Sequence, residues 1–110
     1  MRRLARLHRI DGPFTLSISA VEFGWDDDNV EHLGRHGISP DEVEELFDRP
    51  TLRRRGGTDA PDRLRVLGRT AAGRHLAIVY QSRASGVIRV ITGWDMRPHE
   101  RELYVDQIKG

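Results

Sequence analysis

Residues 64–93 read LRVLGRTAAGRHLAIVYQSRASGVIRVITG, and this stretch decides the fold. Three apolar runs, Leu64–Arg69, Leu76–Gln81 and Val87–Gly93, have the length and β-branched content of strands. Thr70-Ala71-Ala72-Gly73 and Arg83-Ala84-Ser85-Gly86 separate them, and both connections are of hairpin length with Gly near the end. An antiparallel meander follows. Leu76–Tyr80 is almost wholly apolar, as its central strand should be. Arg63, Arg65 and Arg69 share one parity on the first strand and Arg89 lies on the third, so the pattern predicts an arginine cluster on one face of the sheet.

Outward from the meander the signals turn helical. Ser39-Pro40-Asp41-Glu42 predicts a helix start: Ser39 caps, Pro40 takes the first helical position, and Glu42 completes a capping box. Val43, Leu46 and Phe47 form its buried stripe and Pro50 ends it. Before it, Asp26 caps a helix that runs through Val30 and Leu33 to His36, with Gly37 as a left-handed stop. Phe14–Phe23 contains a first strand, and Leu52–Arg55 a short one ahead of a loop at Gly56–Asp62. Arg97–Lys109 has helical spacing, with Leu103, Tyr104 and Ile108 inward. The expected class is α/β in the α+β sense: two short helices, an antiparallel meander and a C-terminal helix. Residues 14–110 make one domain, behind a basic extension at 1–13 that Asp11-Gly12-Pro13 closes.

The net charge of +1 conceals a segregation of signs. Between Glu22 and Asp48, ten carboxylates face one arginine, Arg35; between Arg49 and Arg101, twelve arginines face Asp59, Asp62, Asp95 and Glu100. Arg2, Arg3, Arg6 and Arg9 add to the basic side, and of eighteen basic residues only Lys109 is Lys. Codon bias accounts for Arg over Lys but not for the separation. An arginine-rich side suits planar, bidentate contact with phosphate, which points to nucleic acid. No apolar run reaches the ~20 residues that span a bilayer, and no signal-peptide pattern opens the chain. With no cysteine, disulfides, thiolate zinc and cysteine nucleophiles are excluded, and a cytoplasmic location fits.

Two motifs carry a family resemblance. WDDDNVEHLGRHGISPDEVEELF (25–47) resembles the opening of the BrnT toxins, with Trp-Asp, a helix, a Lys/Arg-His-Gly stop and a second short helix. VLGRTAAGRHLAIVY (66–80) and RVITGWDMRPHERELY (89–104) resemble the second half, with Gly-Arg-Thr, an apolar strand and a closing Glu-Arg…Tyr. The resemblance implies a RelE-like fold, a metal-independent ribonuclease without cofactor, and an antitoxin encoded beside it. Such antitoxins resemble dimeric ribbon-helix-helix proteins, so the complex rather than this chain would contact DNA. Many relatives carry Arg where this chain has Trp94. If that Arg holds phosphate, the task falls here to Arg97 or Arg89, or activity is weakened.

Metal-free cleavage of RNA by its own 2′-hydroxyl needs a base, an acid for the leaving 5′-oxygen, and cations around the phosphate. The expected catalytic set is Arg69, Arg89, His99, Glu100 and Arg101. Arg65, Arg69, Arg89, Arg97 and Tyr80 are the expected RNA contacts, Tyr80 (or Tyr104) by stacking. The residues also admit plainer roles: solvated arginines, a structural Glu100–Arg101 pair and an exposed His99. His32 and His36 stand four apart, but Leu33 occupies the place where a zinc protease needs Glu. A helix-turn-helix reading fails because Asp41, Glu42, Glu44 and Glu45 would face DNA phosphates.

Overall fold

The computed structural model describes residues 2–10, 17–55, 62–83 and 86–108. The Asp11–Pro13 turn, Phe14–Leu16, most of the 56–62 loop, Ala84, Ser85 and Lys109 lie outside the described residues. The strands are β1 (Arg2–Ile10), β2 (Ser17–Gly24), β3 (Thr51–Arg55), β4 (Arg63–Arg69), β5 (His75–Ser82) and β6 (Val87–Asp95); the helices are α1 (Asp27–Gly34), α2 (Pro40–Phe47) and α3 (Pro98–Ile108). They build one sheet in the order β1-β2-β6-β5-β4-β3.

The β3–β6 meander is antiparallel throughout, as the hairpin signals require. Two features were not legible beforehand. β2 runs parallel to β6, though only over Glu22–Val87 and Phe23–Ile88, so the sheet is mixed. Residues 2–10, read above as an arm, pair antiparallel with β2 as an edge strand. An arginine-rich sequence suits an edge, where charge discourages pairing with further chains.

Local chemistry sets the helix ends. The Asp26 carboxylate accepts from Asn29 N at 3.0 Å, and Asn29 Oδ1 accepts from Asp26 N at 2.9 Å. At the other end Ile38 N donates to Leu33 O and Gly37 N to Gly34 O, with Gly37 at φ +68°. That bond pair is a Schellman stop, and Leu33 and Ile38 supply its apolar contact in the core. Ser39 and Glu42 exchange the expected capping-box bonds, 3.2 Å from Glu42 N to Ser39 Oγ and 3.0 Å from Ser39 N to Glu42 Oε1.

The core is split by the sheet. On one face α1 and α2 cover a large cluster that includes Phe23, Trp25, Phe47, Ile78 and Tyr80. Trp25 stacks on Phe23 and donates from Nε1 to the buried Glu44 at 2.8 Å. Gly68 lets α2 sit directly on β4, since a Cβ there would fall 2.6 Å from Leu46 Cγ. On the other face α3 covers a smaller cluster built on Leu67, Ala77 and Tyr104, with Leu103 and Ile108 inward as their spacing predicts. No helix among the described residues is long and apolar enough to cross a membrane.

Candidate nucleic-acid interface

The α3 face gathers most of the expected residues. Pro98 opens α3, and Glu100, two residues on, is almost wholly buried at 2% exposure. Its Oε1 accepts from Arg97 N at 2.9 Å and from Trp94 Nε1 at 3.0 Å, while Oε2 accepts from Arg65 Nη1 at 3.0 Å. Burial pushes the Glu100 pKa up, but the bonds from Arg97 N, Trp94 and Arg65 outweigh it and hold the carboxyl below its ordinary value. Glu100 is therefore an ionised anchor that fixes Arg65 and the start of α3. Three donors and a lowered pKa leave it poorly suited to accept a proton in catalysis.

Trp94 has a defined role in this arrangement. Its indole N–H serves Glu100, and its ring carries the Arg97 guanidinium 4.9 Å from the centroid. Trp94 thus binds the same carboxylate that holds Arg65.

Arg69 and His75 stand directly opposite each other in the β4–β5 ladder, so their side chains share a face. Tyr104 packs edge-on against the His75 ring with centroids 5.7 Å apart, and its hydroxyl donates to Pro50 O at 3.4 Å. Arg101 lies one helical turn before Tyr104. Burial is the main reason the imidazole is held below its usual pKa, and Arg101 and Arg69 push the same way; the Gly73 carbonyl opposes them. Sequence reasoning missed His75. Its position across the hairpin from Arg69 was the signal that could have found it.

The remaining expected residues go elsewhere. By register Arg89 shares the face of Gln81 and Arg63, but its guanidinium turns to the Asp26 carboxylate at the cap of α1. That bond is the chief cause of a lowered Asp26 pKa. Tyr80 lies in the α1/α2 core, 2% exposed and edge-on to Phe47, so its ring is not presented to a base; burial raises its pKa. His99 is exposed and lines a cleft of about 580 Å³ with Glu102, Leu103, Val105 and Asp106. It lies about 200° round α3 from Arg101, beside two carboxylates that disfavour phosphate. Among the described residues no group of His, Asp and Glu is placed to hold a metal ion.

A further arginine, Arg74, is wholly occupied by structure. It bonds Asp95 Oδ1 at 2.8 Å, Glu42 at 3.2 Å and the carbonyls of Gly37 and His36 at 2.7 and 3.2 Å. The Arg-His-Gly stop is thereby fastened to the β4–β5 turn, which Thr70 closes by bonding Arg74 through both its N–H and its hydroxyl.

The motif residues thus divide between a scaffold on the α1/α2 side and a cationic surface beside α3. No curated protein matches the chain. A family model described as "Ribonuclease toxin, BrnT, of type II toxin-antitoxin system" matches residues 25–100, more than half of the chain. The chain belongs to the BrnT family of type II toxin–antitoxin ribonuclease toxins.

Proposed function

We propose that this chain is a metal-independent endoribonuclease on a RelE-like scaffold, cutting RNA in the cytoplasm to stop translation and growth. The observation that carries this reading is the pair Arg69 and Arg101 beside a half-buried histidine on the α3 face. Two guanidinium groups there can hold a scissile phosphate and stabilise the extra charge of its transition state. Arg97, braced on Trp94, extends the cationic surface along the strand. Arg65 is fixed by Glu100 and contributes charge at a set position. Arg89, tied to Asp26, plays a smaller part.

The partner is an antitoxin, of the dimeric ribbon-helix-helix kind on our reading. An acidic segment of it laid across Arg69, Arg97 and Arg101 would exclude RNA phosphate by direct competition. Expression of the chain alone should arrest growth, and co-expression with the adjacent short reading frame should relieve the arrest.

A rival reading is a catalytically silent relative that binds RNA or protein. It is favoured by Trp94, whose indole N–H is committed to Glu100 where many relatives have Arg. Incubating purified protein with RNA in EDTA separates the two. Cleavage leaving 2′,3′-cyclic phosphate ends supports the ribonuclease, and binding without cleavage supports the rival.

A further inference from the structure

The sheet ends on β1 and β3, and β3 is the edge that packs beside α3, with Leu52 in the α3 cluster. The direction of its backbone groups follows from the β4–β5 turn. Thr70 N donates to Arg74 O at 2.9 Å, so these two residues form a hydrogen-bonded pair of the ladder. His75, the next residue, turns its carbonyl the other way, to Met96 N. The same alternation turns the N–H and C=O of Leu67 and Arg65 away from β5 and onto β3, where they meet Leu52 and Arg54. Thr51, Arg53 and Arg55 fall between these partners, so their N–H and C=O groups point outward from the edge. No strand pairs with that edge among the described residues.

The Arg53 side chain is exposed, and no carboxylate pairs with it among the described residues. It stands opposite Val66 in the ladder and so lies on the α1/α2 face. There its charge opposes the rise that burial gives the Tyr80 pKa. A row of amides that alternates donor and acceptor suits a peptide strand, whereas a phosphodiester backbone presents mainly acceptors. A second copy of this chain is disfavoured, because pairing β3 with β3 sets arginine against arginine. What fits is an extended segment with a carboxylate beside Arg53.

We propose that the free edge of β3 anchors the antitoxin, which adds an extended segment there as a further strand with an Asp or Glu beside Arg53. The proposal rests on the antitoxin partner that membership of the family implies. Edge amides supply the affinity, and Arg53 supplies the preference for an acidic sequence. A segment held at β3 is tethered next to α3, so the rest of the antitoxin meets Arg97 and Arg101 at high effective concentration. Silencing then depends on a backbone contact that RNA cannot imitate.

The test measures residue-resolved amide exchange in the chain alone and in its complex with the product of the adjacent short reading frame. In the free chain the Thr51, Arg53 and Arg55 amides should exchange faster than those of Leu52 and Arg54. In the complex they should slow by about 10-fold or more, and by a larger factor than Leu52 and Arg54. Arg53→Glu should weaken the complex about 10-fold while leaving the melting temperature of the free chain nearly unchanged. A complex that forms with the Thr51 and Arg53 amides unprotected overturns the proposal and leaves the antitoxin reading standing. A wild-type chain that forms no complex overturns both. If Arg53→Glu weakens binding of a 2′-O-methyl RNA but not of the antitoxin, the edge belongs to RNA and the proposal falls. Protection that grows in the free chain with its own concentration assigns the edge to a second copy and overturns it too. Should Arg53→Glu fail to fold, the exchange pattern of the wild-type complex decides.

Discussion

Arg74 and Arg89 turn towards α1 and α2, where each is tied to carboxylates, and Arg74 also to backbone carbonyls, that stitch helix to strand. On the α3 side, Arg101 and Arg97 are exposed, Arg97 braced on an indole, and Arg69 lies against a histidine. The same residue type does two jobs, and the nearest carboxylate separates them. The acidic stretch from Glu22 to Asp48 folds back on the meander, and two of its members, Asp26 and Glu42, neutralise Arg89 and Arg74. Charge segregated along the sequence becomes ion pairs that tie Arg74 and Arg89 to α1 and α2 at one side of the sheet, and at the other an arginine-rich surface anchored by the Arg65–Glu100 pair.

The comparison breaks most visibly at the larger core. Trp25→Ala removes a fully buried ring and one donor to Glu44, so it should cost about 3–5 kcal/mol. The melting temperature should fall by about 12 °C or more. If the loss is small, the α1/α2 side is not the scaffold described above.

Glu100→Gln sharpens the comparison from the α3 side. Loss of the charge-assisted bond to Arg65 should cost about 1.5–3 kcal/mol at neutral pH. Because the folded pKa of Glu100 lies below its ordinary 4.5, this stability is fully present above about pH 4.5 and is lost as pH falls through the folded value. Melting curves of wild type and Glu100→Gln should therefore differ at pH 7 and converge in acid. Parallel curves down to acid pH would show that Glu100 is not the anchor.

The smallest effects distinguish two arginines. Arg89→Ala leaves Asp26 without its cation and should lower the melting temperature slightly, with little change in RNA binding. Arg101→Ala should leave the melting temperature nearly unchanged while lowering RNA affinity and reducing its salt slope by about 1. The opposite pattern would reverse the assignment of the two sides.

Much of the scaffold was legible because it rests on local chemistry. Ser39 and Glu42, or Gly37 with its left-handed φ, act within a single turn of chain, and a sequence displays all the partners such devices need. The meander was legible for the same reason, since its connections are short. The parallel β2–β6 pair was not, because it joins strands separated by two helices and three strands, and no short-range pattern encodes it. The candidate site divides in the same way. Parity marked the face on which Arg65 and Arg69 stand, and the start of α3 marked Glu100. Tyr80 has the same alternation whichever face is buried, and only packing against Phe47 decides that it belongs to the core. Composition likewise cannot say which carboxylate takes which arginine. Asp26 with Arg89, Glu42 with Arg74 and Glu100 with Arg65 are choices made by distance across the fold. What the sequence determined was where the two capped helices and the meander strands lie and which strand face bears Arg65 and Arg69. What the tertiary structure alone decided was which arginine pairs with which carboxylate, because ion pairing depends on a few ångströms between residues far apart in the chain.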